Sequence, residues 1–190
     1  QGLFITPQDS SRSWYRYHPL FANFLQHRLH LDHPEEERSL HQTASDAWMT
    51  LGFPHEAVQH AIAANDSERI ITLLLREGWL FYQQGQLRIL QQCLDALTPE
   101  QIANNAELTL LQAWTAQSQF DATRVETYLQ AAEQVLPEQL SAEQWQATQA
   151  EFDALRSQVA INQGRIDDAK CFAQQALAQL PEDKHRARIK

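Results

Sequence analysis

The stretch "TLGFPHEAVQHAIAA" (Thr50–Ala64) decides how this chain is built, and it has an echo in "NQGRIDDAKCFAQQA" (Asn162–Ala176). In both, a glycine is followed by alanines five, nine and twelve residues on: Gly52, Ala57, Ala61 and Ala64, then Gly164, Ala169, Ala173 and Ala176. Alanines spaced by four and three fall on one helical face, where small side chains let a neighbouring helix backbone come close. The glycine ahead of them supplies the tight turn that an antiparallel helix pair needs. Identical spacing therefore predicts one helix-turn-helix geometry, built twice.

Two more units fit the scheme with different letters. Gly85 stands 33 residues after Gly52, is preceded by Gly78, and is followed by Leu87, Leu90, Leu94 and Leu97 on one face. Phe120 takes the turn position of the next unit, with Ala122, Val125, Leu129 and Ala132 after it and Pro137 closing. The turns are 33, 35 and 44 residues apart, an irregular helical repeat. From Pro34 onward Ala, Leu, Gln and Glu dominate, all good helix formers. "TPEQ" (Thr98–Gln101) and "SAEQ" (Ser141–Gln144) read as capping boxes at helix starts, and Pro137 and Pro181 are expected to end helices.

The beginning reads differently. "LFIT" and "WYRYH" are β-prone runs separated by the turn residues "PQDSSRS", which predicts a hairpin. Pro19 then opens "PLFANFLQHRL", a helical pattern through Leu20, Phe24 and His27. Residues 1–33 are too few for a domain and are expected to be the last corner of a preceding one. Residues 34–190 are expected to form the helical repeat, truncated at its C-terminal end, giving an all-α fold with a short β-hairpin in front. The only methionine is Met49 and the chain stops on "RARIK", so a piece of a longer protein is expected.

Composition narrows the function classes. A formal charge of -9 argues against wrapping nucleic acid, and the basic end "KHRARIK" (Lys184–Lys190) reads as a solvated helix face. No apolar run is long enough to span a membrane and the start lacks a signal peptide's blocks, so a soluble protein is expected. Two cysteines inside helix-like runs, Cys93 and Cys171, suit small buried apolar positions in a reducing, cytoplasmic setting.

No chemistry stands out. His27, His30 and His33 recur every third residue, but the run meets a helix break at Pro34 and no metal site is expected. "HEAVQH" (His55–His60) places its second histidine one residue too late for a zinc-protease helix. The acids of "PEEER" and of Asp167 and Asp168 answer a helix dipole. Five glycines, scattered singly, exclude a phosphate-cradling loop, and no G-x-S-x-G elbow is present. Trp48, Trp79 and Trp114 recur about once per unit; a tryptophan stripe can stack on a sugar ring, but inter-helix core is the ordinary role. Trp14 and Trp145 are expected to be partly exposed. Neither a catalytic residue nor a bound cofactor is expected in these residues.

Two resemblances sharpen this. "VAINQGRIDDAKCFAQQALAQLP" resembles the tetratricopeptide repeat, with Gly164, Ala169, Ala176 and Pro181 at that repeat's turn, packing and terminal positions and Ala173 in place of its usual aromatic. "WYRYHPLFANFLQHRL", "LHQTASDAWMTLGFPHEAVQHAIAANDSERIITLLLREGW", "LTLLQAWTAQSQ" and "AEFDALRSQVAINQG" resemble the large ATP-binding LuxR-type transcriptional regulators. In that family a nucleotide-hydrolysing module with a winged helix comes first, followed by a helical linking domain, an inducer-binding helical sensor and a DNA-binding helix-turn-helix. The resemblance implies that this chain is the tail of the winged helix plus the linking domain. ATP, inducer and DNA would then be bound elsewhere in a parent that self-associates, with the neighbouring domains as this chain's partners. The alternatives are a free-standing tetratricopeptide-like adaptor for a peptide and a small-molecule sensor whose tryptophans line a sugar site.

Overall fold

The computed structural model describes residues 4–179, so Pro181 and the basic end Lys184–Lys190 lie outside the described residues. Contacts divide the chain into two compact units, one up to Asp66 and one from Ser67 on.

The first unit opens with the expected hairpin, β1 (Ile5–Pro7) and β2 (Tyr15–Tyr17), antiparallel with Ile5 opposite Tyr17 and Pro7 opposite Tyr15. Asp9 organises its tip: the carboxylate accepts from the Ser13 and Trp14 amides at 2.9 and 3.1 Å and from the Ser11 and Ser13 hydroxyls. Those hydroxyls, Ser11's before Ser13's, hold the Asp9 carboxyl well below the usual carboxylate range. Three helices follow, α1 (Pro19–Asp32), α2 (Pro34–Thr50) and α3 (Pro54–Ala63), each with proline in its first turn. His33 caps both the end of α1 and the start of α2.

The second unit holds α4 (Ser67–Gln83), α5 (Leu87–Asp95), the short α6 (Pro99–Ala103), α7 (Ala106–Ser118), α8 (Ala122–Gln139), α9 (Ala142–Asn162) and α10 (Ile166–Gln179). Both capping boxes form, Thr98 with Gln101 and Ser141 with Gln144, while Asn105 and Asp121 cap α7 and α8. Helices pair α4 with α5, α7 with α8 and α9 with α10, as α2 pairs with α3 in the first unit. One core cluster joins Leu110 and Ala113 of α7, Val125, Leu129 and Leu136 of α8, and Phe152 and Leu155 of α9.

Pro137 departs from expectation. It lies inside α8, which runs on to Gln139 before Leu140 leaves the helix with φ -102° and ψ 150°. A proline removes only its own amide, and one placed in the final turn forfeits a single bond while the last residues complete that turn. Cys171 departs too. Cys93 is fully buried, and burial pushes its thiol up to about 12, but Cys171 is exposed. Two residues past Ala169 it has rotated roughly 200° round the helix, away from the alanine face.

Candidate functional site

The four helix turns share one backbone device. Gly52, Gly85, Phe120 and Gly164 adopt φ of 81°, 70°, 59° and 72°. In each case the next residue's amide reaches back five positions: Phe53 to the Trp48 carbonyl, Gln86 to Phe81, Asp121 to Ala116 and Arg165 to Ala160, at 2.9 to 3.1 Å. This is the Schellman ending, in which a left-handed residue lets late amides satisfy carbonyls that the helix leaves open. Behind the turns lie the alanines that the spacing singled out. Ala57, Ala61, Ala64, Ala169 and Ala176 are buried, whereas Ala173 is half-buried.

The echo extends further back than the alanines. Seven residues before each turn stand Ser45, Gly78, Ala113 and Ser157, all buried. Ser45 Oγ donates to the Ala57 carbonyl at 2.8 Å and Ser157 Oγ to the Ala169 carbonyl at 2.9 Å, tying the two helices of a pair directly. At Gly78 even a methyl group would meet Leu111 Cδ2 at 2.5 Å. Gly78 thus marks a close approach of α4 to α7, not to its pair partner α5. The serine offset was present in the sequence beside the glycine and alanines.

The tryptophans are half-buried structural members. Trp48 stacks on Trp14 (centroids 5.8 Å apart, planes at 7°) and meets Phe53 edge-on, joining hairpin to α2. Trp79 and Trp114 flank Tyr82 edge-on, with centroids 5.8 and 6.3 Å away, and both pack against the second unit's core. Ser118 Oγ lies 3.0 Å from Tyr82 Oη. Trp14 is 48 % exposed and Trp145 half-buried, as expected.

Two polar clusters went unread in the sequence, since their members are far apart along the chain. Arg156 on α9 grips Glu126 of α8 through Nε (3.0 Å) and Nη2 (2.9 Å), and Glu133 through Nη1 (2.7 Å) and Nη2 (3.2 Å), with Asp153 at 3.7 Å. Burial works against its charge, yet the hydrogen bonds to Glu133 and Glu126 outweigh that and hold it protonated above the ordinary guanidinium value. The same bonds lower Glu126, whereas burial raises Asp153. A cavity of about 360 Å³ opens beside this knot, lined by Val125, Val159, Arg165 and Phe172 among others. Four of the five Arg156 N–H donors are taken by Glu126 and Glu133, and Asp153 lies 3.7 Å from Nη1. The second cluster, in the first unit, is His41 Nδ1 with His60 Nδ1, 2.8 Å apart.

The histidines singled out by spacing do not converge. His30 pairs with Glu37 at 2.8 Å and His33 with Glu36 at 3.5 Å, fixing the α1–α2 corner. Among the described residues no group of three His, Cys, Asp or Glu side chains is placed to hold a metal ion. No described helix is long and apolar enough to cross a membrane. What the geometry provides is a set of helix pairs tied by buried side-chain bonds, with an exposed apolar patch of Phe4, Leu20 and Phe24 on the hairpin and α1.

Residues 1–37, the hairpin and the helix that follows it, match the family model described as the MalT winged helix domain. The chain is related along its whole length to proteins named HTH-type transcriptional regulator MalT. The one from Serratia proteamaculans (strain 568) is 43% identical over 189 residues, covering 100% of this chain and 21% of that protein. Those from Yersinia pestis (strain Pestoides F) and Yersinia pseudotuberculosis serotype O:3 (strain YPIII) match to the same extent. The chain spans about a fifth of the length of these curated relatives. No solved structure matches it.

Proposed function

We propose that this chain is the non-catalytic linking arm of an ATP-dependent, maltotriose-responsive transcriptional activator of maltose and maltodextrin genes. The observation that carries the reading is the match along the whole of this chain to regulators named MalT, beginning with the winged-helix match at residues 1–37. In this reading residues 1–33 finish the winged helix and residues 34–190 form a tetratricopeptide-like arm toward the sensor. Its partners are the neighbouring domains of its own parent, which self-associates with ATP and inducer bound and works in the cytoplasm. ATP is expected to bind elsewhere in the parent: among the described glycines, Gly52, Gly85 and Gly164 serve helix turns with positive φ, and Gly78 is sealed against Leu111. Maltotriose is expected to bind outside these residues as well, because the tryptophans are half-buried or engaged with other rings: Trp48 stacks on Trp14, and Trp79 and Trp114 meet Tyr82 edge-on.

Signal would pass as a change in how clamped helix pairs pack, since a pair tied at its crossing point moves as a body. The test is the full-length parent carrying Ala61→Leu, which overpacks the α2–α3 crossing. Retained ATP and maltotriose binding with lost transcription supports a relay; unchanged transcription refutes it. Saturable maltotriose binding by this chain alone, with glucose as control, would instead favour the sensor reading.

A further inference from the structure

His41 on α2 and His60 on α3 face each other across the first helix pair, both half-buried. Their Nδ1 atoms are 2.8 Å apart while the ring centroids are 5.0 Å apart and the planes are inclined by 40°. Each nitrogen therefore lies close to the line joining the two rings, and the lone pairs aim at one another. That arrangement holds one proton between two nitrogens, with one ring donating Nδ1–H and the other accepting. A metal ion would need both lone pairs to converge on a point off that line, and among the described residues no third His, Cys, Asp or Glu completes such a site.

The pair sits toward the open end of the hairpin, away from the Gly52 turn, with the Ser45–Ala57 bond between it and that turn. Its charged surroundings are already committed or turned to solvent. On α2, Glu37 one turn before His41 is taken by His30 of α1, while Arg38 and Asp46 are exposed. On α1, Arg28 pairs with Asp32 at 2.6 Å. On α3, His55 is exposed and Glu56, one turn before His60, is half-buried; beyond α3, Asp66 accepts from Gln42 at 2.8 Å. Burial first, and then the charge of His41, push the His60 pKa down, with no carboxylate among the causes.

We propose that the His41–His60 pair is a proton-operated clamp that closes the α2–α3 hairpin when the pair carries one charge or none and loosens it when both rings are protonated. With one ring neutral, an N–H donates to a nitrogen lone pair and the helices are tied. With both rings protonated, two N–H groups and two positive charges confront each other, and the open end of the hairpin separates about the Gly52 turn. A histidine whose folded pKa lies below its unfolded value of 6.5 stabilises the fold above that value. The contribution is lost as pH falls through the folded pKa. Acid therefore loosens α3.

The test is a titration of this chain from about pH 7.5 to about pH 5, following the imidazole Cε1–H signals by NMR, with thermal melting in parallel. The expected result is a His60 signal that titrates below 6.5, with α3 amides exchanging faster once that step is passed. In His41→Gln the His60 signal should titrate higher than in the unaltered chain, and the fall in Tm on acidification should be smaller. A His60 titration unchanged by His41→Gln would overturn the clamp. The titration of the unaltered chain stands even if the variant fails to fold.

Discussion

Ser157 Oγ donates to the Ala169 carbonyl oxygen at 2.9 Å, so the last described helix pair is fastened by a buried side-chain bond at its crossing point as well as by apolar packing. The first pair repeats the bond from Ser45 to Ala57. Each serine is buried and gives its only proton to a carbonyl that already serves its own helix, so Ser157→Ala and Ser45→Ala should each cost about 1 kcal/mol. Urea midpoints measure this. Equal losses at the two sites are expected from equal geometry, and no loss at either would mean that methyl-sized packing alone fixes the crossing.

Overpacking the same crossing should cost more than losing a bond. Ala169 is 5 % exposed and its neighbour Asp168 faces solvent in an ion pair with Arg165 at 2.6 Å. Ala169→Leu should lower stability by roughly 1 to 3 kcal/mol. Asp168→Asn should cost well under 1 kcal/mol, because both partners are about half exposed and water screens them. Equal effects would contradict the assignment of faces.

Phe120 occupies a turn position that glycine fills at the other three helix pairs, with φ at 59° and its ring 80 % exposed. A side chain in the left-handed region costs roughly 1 to 2 kcal/mol, and an exposed ring regains little of that by burial. Glycine gives back part of the gain through the larger entropy of the unfolded chain. Phe120→Gly should therefore raise stability by about 0.5 to 1 kcal/mol. The reverse change, Gly164→Ala at φ 72° with open space around the added methyl, should lower it by about 1 kcal/mol. Thermal melting of the two variants gives both signs in one experiment.

Much of this architecture was readable in the sequence, because helix turns and helix crossings obey local spacing. Gly52, Gly85 and Gly164 announced left-handed turns, and even Phe120 was placed at one by the apolar face that follows it. The caps at Thr98 and Ser141 are four-residue devices and formed as read. Pro137 misled because proline restricts a helix by its place within it, and the last turn tolerates what the interior does not. The polar clusters were beyond local reading: 30 residues separate Glu126 from Arg156 and 19 separate His41 from His60, and no periodicity joins residues brought together only when helices pack. The half-buried tryptophans were legible as recurring positions, but Trp48 stacking on Trp14 required knowing that the hairpin folds back on α2.

Arg156 supplies the last prediction. Its side chain is 14 % exposed and bridges Glu126 and Glu133, seven residues apart on α8, so it fastens α9 to α8 along two turns of helix. Removing it leaves two carboxylates that are 43 % and 30 % exposed, wet enough to regain solvent, which keeps the penalty below that of a fully buried broken pair. Charge-assisted bonds and the packed alkyl stem together suggest a loss of about 2 kcal/mol for Arg156→Ala. The pH dependence follows from the acids. Glu126 is held below its ordinary 4.5 by the Arg156 bonds, so its contribution is present above 4.5 and disappears as pH falls through the lowered value. Asp153 runs the opposite way, since burial raises it above 3.8 and it gains a proton earlier in the descent. Arg156→Ala should thus remove the Glu126 part of the acid-induced loss and leave the remainder. Urea unfolding of both proteins at neutral pH and at about pH 2 separates the two. If the stability difference between them is the same at both values, the knot is a packing feature whose charges do not hold α8 to α9.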